Sequence, residues 1–318
     1  MAFRLSPFGR DPSGNRMLSN HSLIRLACLF GVIALWRFDP TPGYVVLLAG
    51  YVHYPLSFFY AWRKIKASLT DPRKGLGTLS AIAVGIGLFW LKFPLIIFFG
   101  IHHVFNEVYL LKREICKQFG DNAGRVTTGA LVINAALYCV TLRRAFPFSC
   151  LPHRMWWLVL ALAAIYFISC LWPSRKRIPV RRLAALFSFE LGSLAFVVLS
   201  CRYNISFYLF IVYHFFFWSL YPISSLRQRG GKQLAIYLGL HAVIVPIAWY
   251  ISPYCPGHMP YQSYYDAFIL MSYLHIASSF ALSNAQPEWM NKLFQNPSPV
   301  PAAVQALPVA PPTPVAAR

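Results

Sequence analysis

The feature that most constrains the fold of this chain is a series of apolar runs, each close to 20 residues long. A run of about 20 apolar residues forms a helix long enough to cross the roughly 30 Å hydrocarbon core of a bilayer. Only 12% of the residues are charged and the mean hydropathy is +0.50, whereas about 25% of the residues of a soluble domain are charged. The sequence therefore predicts an all-α, polytopic integral membrane helical bundle of about ten transmembrane helices. The predicted spans are residues 22–36, 43–61, 77–91, 94–111, 126–142, 155–172, 183–200, 203–222, 233–252 and 263–283.

Three segments of different composition divide the chain. Residues 1–21 are basic and are assigned to the cytoplasm, residues 22–285 hold the apolar runs, and residues 286–318 form a tail rich in Pro and Ala. The tail lacks apolar periodicity, so we predict that it is disordered. The first apolar run is not followed by a small-residue cleavage site, so no cleavable signal peptide is predicted. The region 77–111 is interrupted by Lys92-Phe93-Pro94 and is compatible with a tight hairpin or with one kinked stretch.

The formal net charge of +20 would suggest nucleic-acid binding in a soluble protein. In a membrane protein, Lys and Arg instead collect in short cytoplasmic loops. With a cytoplasmic N-terminus, the loop that carries Arg143, Arg144 and Arg154 is the one violation of this rule. We therefore predict a multi-pass protein of the inner cell membrane, with both termini cytoplasmic, in contact with membrane lipids and without a nucleic-acid partner. The basic loops that this topology places in the cytoplasm, as the rule requires, are residues 62–75, 112–118, 173–182 and 226–232.

Histidines inside the apolar runs are the main functional signal. Six of the nine histidines lie near the middle of predicted spans, where an imidazole needs a partner other than water. Clustering around one metal would give several imidazoles a partner together. A histidine-rich proton or ion path and scattered interhelical hydrogen bonds are the alternatives. The six residues are His53, His102, His103, His214, His241 and His275.

The apolar run Phe99–Leu110 carries two of these histidines together with an acid. His103 and Glu107 are four residues apart and share a helix face, whereas His102 points about 100° away from His103. We expect one histidine of the pair to be a metal ligand and the other to contact substrate or to support a ligand. Glu107 is the predicted catalytic acid, which would orient a ligating histidine, bind metal or transfer a proton. The alternative is that Glu107 pairs with a buried Arg or His.

The surroundings of the histidines narrow the choice of metal. The seven cysteines include no CxxC pair, so neither a disulfide framework nor a Cys-ligated zinc site is predicted. Histidines with one or two carboxylates suit non-haem iron, copper or zinc. In a lipid environment, Fe²⁺ that reacts with oxygen is the predicted cofactor, and haem held by two histidines on facing helices is the alternative. Aromatic residues around His214 and His275 suit a long apolar, lipid-like substrate, but they equally suit plain packing.

This pattern resembles the Brp/Blh family of membrane β-carotene dioxygenases, which cleave their substrate centrally to make retinal. The resemblance rests on an early helix with His53, the spacing from His102 to Glu107, an aromatic helix with His214, and His275 near the end. It implies that histidines on separate helices bind one iron.

Three positions depart from the family pattern. Glu107 replaces the usual Asp, and His53 is followed by Tyr54 and Pro55 rather than by Gly. The family has two histidines one turn apart in the late motif, but Trp218 occupies the second position here. If His241 supplies the missing imidazole from another helix, the geometry of the site differs from that of the family.

Taken together, these observations predict an iron- and oxygen-dependent membrane oxidoreductase that acts on a long apolar substrate such as a carotenoid. Its iron would be held by His53, by His102 or His103, and by His214 and His275. A non-catalytic membrane subunit is the alternative, binding haem, pigment or quinone or stabilising a larger complex. A transporter with a histidine relay is a third hypothesis, but no internal symmetry supports it. A desaturase is not predicted, because the chain has no HxxxH or HxxHH motif.

Overall fold

The structure is a computed structural model that describes residues 15–38, 43–142, 153–175, 178–203, 208–229, 231–253, 259–283 and 286–294. Within these ranges the regular secondary structure is helical and includes no strand, which confirms the predicted all-α fold. The helices are α1 (Asn15–Phe38), α2 (Gly43–Leu69), α3 (Pro72–Trp90), α4 (Leu95–Leu110), α5 (Lys112–Phe119), α6 (Ala123–Leu142), α7 (His153–Leu171), α8 (Val180–Leu186), α9 (Ser188–Tyr203), α10 (Tyr208–Arg229), α11 (Gly231–Tyr250), α12 (Tyr261–Leu282) and α13 (Glu288–Leu293).

Fewer helices are long and apolar enough to cross a membrane than the ten segments predicted from the sequence. Five described stretches meet that requirement, and a sixth results if α8 and α9, which are bent by 69°, form one span. The apolar parts of α1, α4 and α10 are shorter, and these helices carry ionisable residues in their interiors. The five stretches are Val45–Leu69, Lys112–Leu142, Arg154–Ser174, Gly231–Tyr250 and Tyr261–Leu282.

Several predicted boundaries differ from the observed ones. α2 continues to Leu69 and α3 begins at Pro72, so all of the predicted basic loop 62–75 except residues 70 and 71 is helical. α1 begins at Asn15, inside the segment assigned to the basic N-terminus. The boundary predicted for the disordered tail was too early, because α13 lies within residues 286–294. Residues 295–318 lie outside the described residues, as do Arg143 and Arg144.

Asp71 and Pro72 lie at the junction between α2 and α3. The Asp71 carboxylate accepts hydrogen bonds from the backbone N–H groups of Arg73 and Lys74, at 3.1 and 3.4 Å. An acid before the first turn and a proline in the first position both favour the start of a helix. In the region 77–111, the predicted interruption at Lys92-Phe93-Pro94 is confirmed, because α3 and α4 are separate helices divided by residues 91–94.

Two apolar clusters hold the described helices together. The first is built mainly from α1, α2, α4, α10 and α12, and the second from α5, α6, α7 and the ends of α4, α8 and α9. Glycine permits close approach where α3 packs on α12, since a Cβ at Gly85 would lie 2.9 Å from the Cβ of Ala277. Such small residues let helix backbones approach each other inside a membrane. The functional side chains described next project from the first cluster.

Candidate metal centre and adjoining cavities

Three histidines from three helices converge in the first apolar cluster. His53 comes from α2, His214 from α10 and His275 from α12, and one ring nitrogen of each lies within 4.8 Å of the other two. The Nε2 atoms of His53 and His275 are 3.3 Å apart. His53 and His214 are 6% and 1% exposed, so protein surrounds most of this group. The structure therefore brings together three of the six histidines singled out in the sequence.

A serine one turn along α2 orients the third of these histidines. Ser57 Oγ lies 2.9 Å from His275 Nδ1 and donates a hydrogen bond to the Tyr54 carbonyl at 2.8 Å. A hydroxyl has one hydrogen, so Ser57 accepts from His275 Nδ1–H while it donates to Tyr54. This assignment leaves the lone pair of His275 Nε2 directed toward His53. A metal-binding imidazole requires this arrangement, with a proton on the outer nitrogen and a lone pair on the inner one.

His102 lies beside the three histidines and is held by its own helix. Its ring centroid is 5.2 Å from that of His214 and 5.3 Å from that of His275. Asn106 Nδ2 lies 3.0 Å from His102 Nε2, so the amide donates to that nitrogen. His102 Nδ1 is buried and has no hydrogen-bond partner among the described residues. In this arrangement the Nε2 lone pair of His102 is occupied by Asn106, and His102 forms a wall beside the other three rings.

His103 faces a different environment, which distinguishes the two adjacent histidines of α4. Its ring lies 5.2 Å from that of Phe210 and 6.0 Å from that of Tyr138. Both of its ring nitrogens are buried without a hydrogen-bond partner in the described part of the chain. His102 lines the cavity described below, whereas His103 does not contribute to its wall.

Glu107 pairs with an arginine of α1. Arg25 donates from Nε to Glu107 Oε2 at 3.0 Å, and its Nη2 contacts the same oxygen and the Glu107 carbonyl. Tyr213 donates from its hydroxyl to Glu107 Oε1 at 3.3 Å. Both charged side chains have 0% exposure. The hydrogen bonds of the Glu107 side chain thus go to Arg25 and Tyr213 rather than to a histidine. Of the two roles predicted from the sequence, the structure therefore shows the alternative one, in which Glu107 pairs with a buried Arg.

Three further polar residues, Asn134, Glu190 and His241, lie outside the group of three histidines. Asn134 donates from Nδ2 to Glu190 Oε1 at 2.9 Å, which links α6 to α9. His241 has its Nδ1 2.9 Å from the carbonyl of Tyr237, one turn earlier in α11. The prediction that His241 joins the other histidines was wrong, since His241 is not part of the converging group.

A cavity of about 300 Å³, which we call the main cavity, opens beside the histidines. His53, His102, His214 and His275 form one wall of it. Away from this wall, most of its lining is apolar or aromatic. These lining residues are Leu56, Tyr60, Trp218, Pro222, Leu226 and Tyr237.

A second cavity, of about 270 Å³, adjoins the first, and we call it the side cavity. The two share five lining residues, including His275 and Ser57. The side cavity is more polar, and Lys64 lies on its wall, where its Nζ donates to the Leu282 carbonyl at 3.2 Å. Its other lining residues are Tyr60, Ala61, Ser278, Ser279, Leu282 and Ser283.

The three converging nitrogens are suited to a metal ion. Two imidazole nitrogens bound at 2.0–2.1 Å with a tetrahedral angle between them lie about 3.4 Å apart, close to the 3.3 Å between His53 and His275. Three neutral nitrogen ligands with a cavity on the open side leave room for water, oxygen or substrate, as catalytic sites require. No thiolate belongs to the group. The arrangement is therefore chemically compatible with iron, copper or zinc.

Three residues that complete this region were not predicted from the sequence: Arg25, Ser57 and Tyr213. Arg25 had a usable signal, because it is an isolated cation within the predicted span 22–36 and such a cation requires a partner. Ser57 also had one, since it lies four residues after His53 and on the same face of the helix. Tyr213 gave no distinct signal among the many aromatic residues of α10.

No protein-family model, curated protein or solved structure matches this chain.

Proposed function

We propose that this chain is a membrane-embedded oxidoreductase with a mononuclear non-haem iron centre held by His53, His214 and His275. The substrate class is a long apolar molecule such as a carotenoid, and oxygen is the co-substrate. The convergence of three imidazole nitrogens within 4.8 Å, at the wall of a cavity, carries the proposal. The resemblance to the Brp/Blh family supports the choice of iron and of substrate.

The proposal extends to the membrane arrangement. We infer that ten helices span the inner membrane, with the N-terminus in the cytoplasm. The shorter apolar helices α1, α4 and α10 would cross in the centre of the bundle, where their ionisable groups are shielded from lipid. The ion pair between Arg25 and Glu107 supports this inference, because charged groups inside a membrane face the bundle and pair with one another.

The chain's own residues have separable tasks in this mechanism. When bound, iron would supply the activation of oxygen. Ser57 holds the His275 ring with its Nε2 lone pair toward the centre, and the apolar wall of the main cavity excludes bulk water from the substrate. Glu107 serves as a positioning residue, because Tyr213, which binds it, precedes the ligand His214 in α10.

Haem is less well supported than a single ion. Two axial nitrogens on opposite faces of a haem are about 4 Å apart, with the macrocycle between them. The His53 and His275 nitrogens are 3.3 Å apart, and the ring centroids of these residues are separated by only 4.7 Å. A macrocycle between these rings would require α2 and α12 to separate.

Metal analysis of the purified protein tests the proposal. We expect about one non-haem iron per chain and loss of that iron in His214→Ala and His275→Ala. His241→Ala is the matched control and should retain it, since His241 lies outside the converging group. Oxygen consumption with β-carotene should follow iron content among these variants. A Soret band, or a metal content that His214→Ala and His275→Ala leave unchanged, would contradict the proposal.

A further inference from the structure

We propose that the side cavity binds the anionic head group of a single-chain amphiphile, whose hydrocarbon chain passes the histidines and enters the main cavity. The head group carries carboxylate or phosphate oxygens. This inference rests on the proposed function only in taking the histidines as the reaction centre, because binding of the amphiphile does not require the metal. It extends the proposed ligands from long apolar molecules to molecules with a long apolar chain and a single charged end.

The linings of the two cavities differ in the way that such a molecule requires. Beyond the histidines, the main cavity presents Leu56, Trp218 and Leu226 to its contents. Beyond the residues that both cavities share, the side cavity adds Ala61, Lys64, Ser278 and Leu282 to its wall, so its one charged group is Lys64. His275 borders both cavities, so a molecule that occupies both must pass the proposed metal centre. Ligand sites commonly combine a large apolar surface with a few polar groups that fix orientation.

The charge at the side cavity is unbalanced. Among the described residues that line the two cavities, Lys64 is the one cation and none is acidic. No carboxylate in the described ranges forms an ion pair with Lys64, whose ammonium donates one hydrogen bond to Leu282. An ammonium has three N–H donors, and because Lys64 is exposed the other two are accessible to water or to a ligand. An anionic oxygen in this position would receive a charge-assisted hydrogen bond.

Helix geometry sets the distance between the head group and the histidines. Ser57, which contacts His275, and Lys64 are seven residues apart on α2, and seven residues of α-helix rise about 10 Å. If the head group of the amphiphile binds at Lys64, the bond of its hydrocarbon chain that lies at the histidines is about 10 Å from the charged end. The proposal predicts chemistry in the interior of the chain rather than at its head.

Competition for the main cavity tests this inference. The full-length protein would be labelled with the methyl ester of a C18 fatty acid that carries a photoreactive diazirine on its chain, and the labelled peptides would be identified. The neutral probe should label α10 and α11 peptides that line the main cavity. We expect oleate and oleyl phosphate to displace it at roughly tenfold lower concentration than methyl oleate, a ratio that corresponds to about 1.4 kcal/mol.

Two lysines of α2 give matched variants. Lys64→Gln should abolish the advantage of oleate and oleyl phosphate while leaving labelling by the neutral ester intact, which shows that the protein remains folded. Lys66→Gln removes the same charge two residues further on, outside both cavities, and should preserve the advantage. A preference for only one of the two anions would identify its head-group chemistry and support the proposal.

The proposal is overturned if methyl oleate competes as well as oleate and oleyl phosphate, or if Lys64→Gln retains the preference. Label outside the main-cavity peptides would also overturn it. Iron is measured in the same preparations. A Lys64-dependent preference without bound iron would support the amphiphile site and contradict the metal centre, so the two proposals fail separately.

Discussion

The Nε2 atoms of His53 and His275 lie 3.3 Å apart, although the two residues are separated by 222 positions in the sequence. The helices that carry them are joined by a hydrogen bond of 2.7 Å between the Tyr54 and Ser272 hydroxyls. Two neutral imidazole nitrogens at this distance need one shared proton or one common cation, because two lone pairs that face each other repel. The His275 tautomer assigned from Ser57 directs a lone pair at this point, which can bind a cation or accept a hydrogen bond from His53 Nε2–H.

Replacement of Ser57 by alanine should weaken metal binding without removing a ligand. Loss of an outer hydrogen bond to a ligating histidine typically reduces metal affinity by about 10–100-fold, and we expect a reduction in this range for Ser57→Ala. The dissociation constant measured by metal titration of the chelator-treated protein tests this expectation. Ser57→Thr restores the hydroxyl and should restore much of the affinity.

Ser279→Ala is the control for this effect, because Ser279 lines the same cavities but makes no recorded hydrogen bond to a histidine. Its metal affinity should equal that of the unsubstituted protein. Equal affinities for Ser57→Ala and Ser279→Ala would show that the Ser57 hydroxyl does not orient His275.

Removal of one partner of the buried Arg25–Glu107 pair should destabilise the protein strongly. Each single substitution, Arg25→Met or Glu107→Gln, leaves an uncompensated charge where both side chains are fully buried, at a cost of about 3–5 kcal/mol. The double variant Arg25→Met/Glu107→Gln removes both charges and should recover much of that stability. Thermal unfolding of all three variants in one detergent provides the measurement.

The outcome of this comparison also distinguishes two roles of Glu107. If Glu107 only positions Tyr213 and α10, the double variant should bind metal with nearly normal affinity. If the double variant is folded and its metal affinity collapses, Glu107 has a direct role at the centre. If the double variant is as unstable as the sum of the single effects, the two side chains are not coupled.

The helices themselves could be predicted from the sequence, because apolar runs report directly on segments that avoid water. Each of the ten predicted segments overlaps a long helix in the described ranges. Helix ends were less accurate, since α2 extends through Arg63, Lys64 and Lys66 to Leu69. Lysine and arginine favour helices and can extend their charges to the membrane surface, so a basic run need not be a loop.

The convergence of the three histidines was partly predictable from their positions along the predicted spans, but the direction in which each one points was not. His53, His214 and His275 each lie near the middle of a predicted span, and the structure brings them together. His241 lies at a similar position in its span but makes its recorded hydrogen bond to Tyr237. The face that a helix directs at its neighbour depends on packing between distant segments. The apolar pattern of a single sequence does not show which segments pack together.

A pair of glycines on α3 tests the packing of that helix against α12. A Cβ at Gly85 would lie 2.9 Å from the Ala277 Cβ and 3.1 Å from the Tyr273 carbonyl oxygen, whereas a Cβ at Gly87 meets nothing within 4 Å. Overpacking costs about 1–3 kcal/mol, so Gly85→Ala should lower the unfolding temperature. Gly87→Ala should be neutral or slightly stabilising, by up to about 1 kcal/mol, because alanine favours helix. Equal unfolding temperatures for the two variants would contradict this packing.

Accessibility of single cysteines tests the proposed orientation in the membrane. Arg73 and Met259 are exposed in the structure. Arg73 lies in the basic segment 62–75, which is predicted to be cytoplasmic, and Met259 lies between the predicted spans 233–252 and 263–283, where the ten-span topology predicts an external loop. In spheroplasts with an intact inner membrane, a membrane-impermeant maleimide should label Met259→Cys and should label Arg73→Cys only after permeabilisation. The unsubstituted protein gives the background from its native cysteines. The reverse pattern would place the basic loops outside, and labelling of both before permeabilisation would exclude an odd number of spans between the two positions.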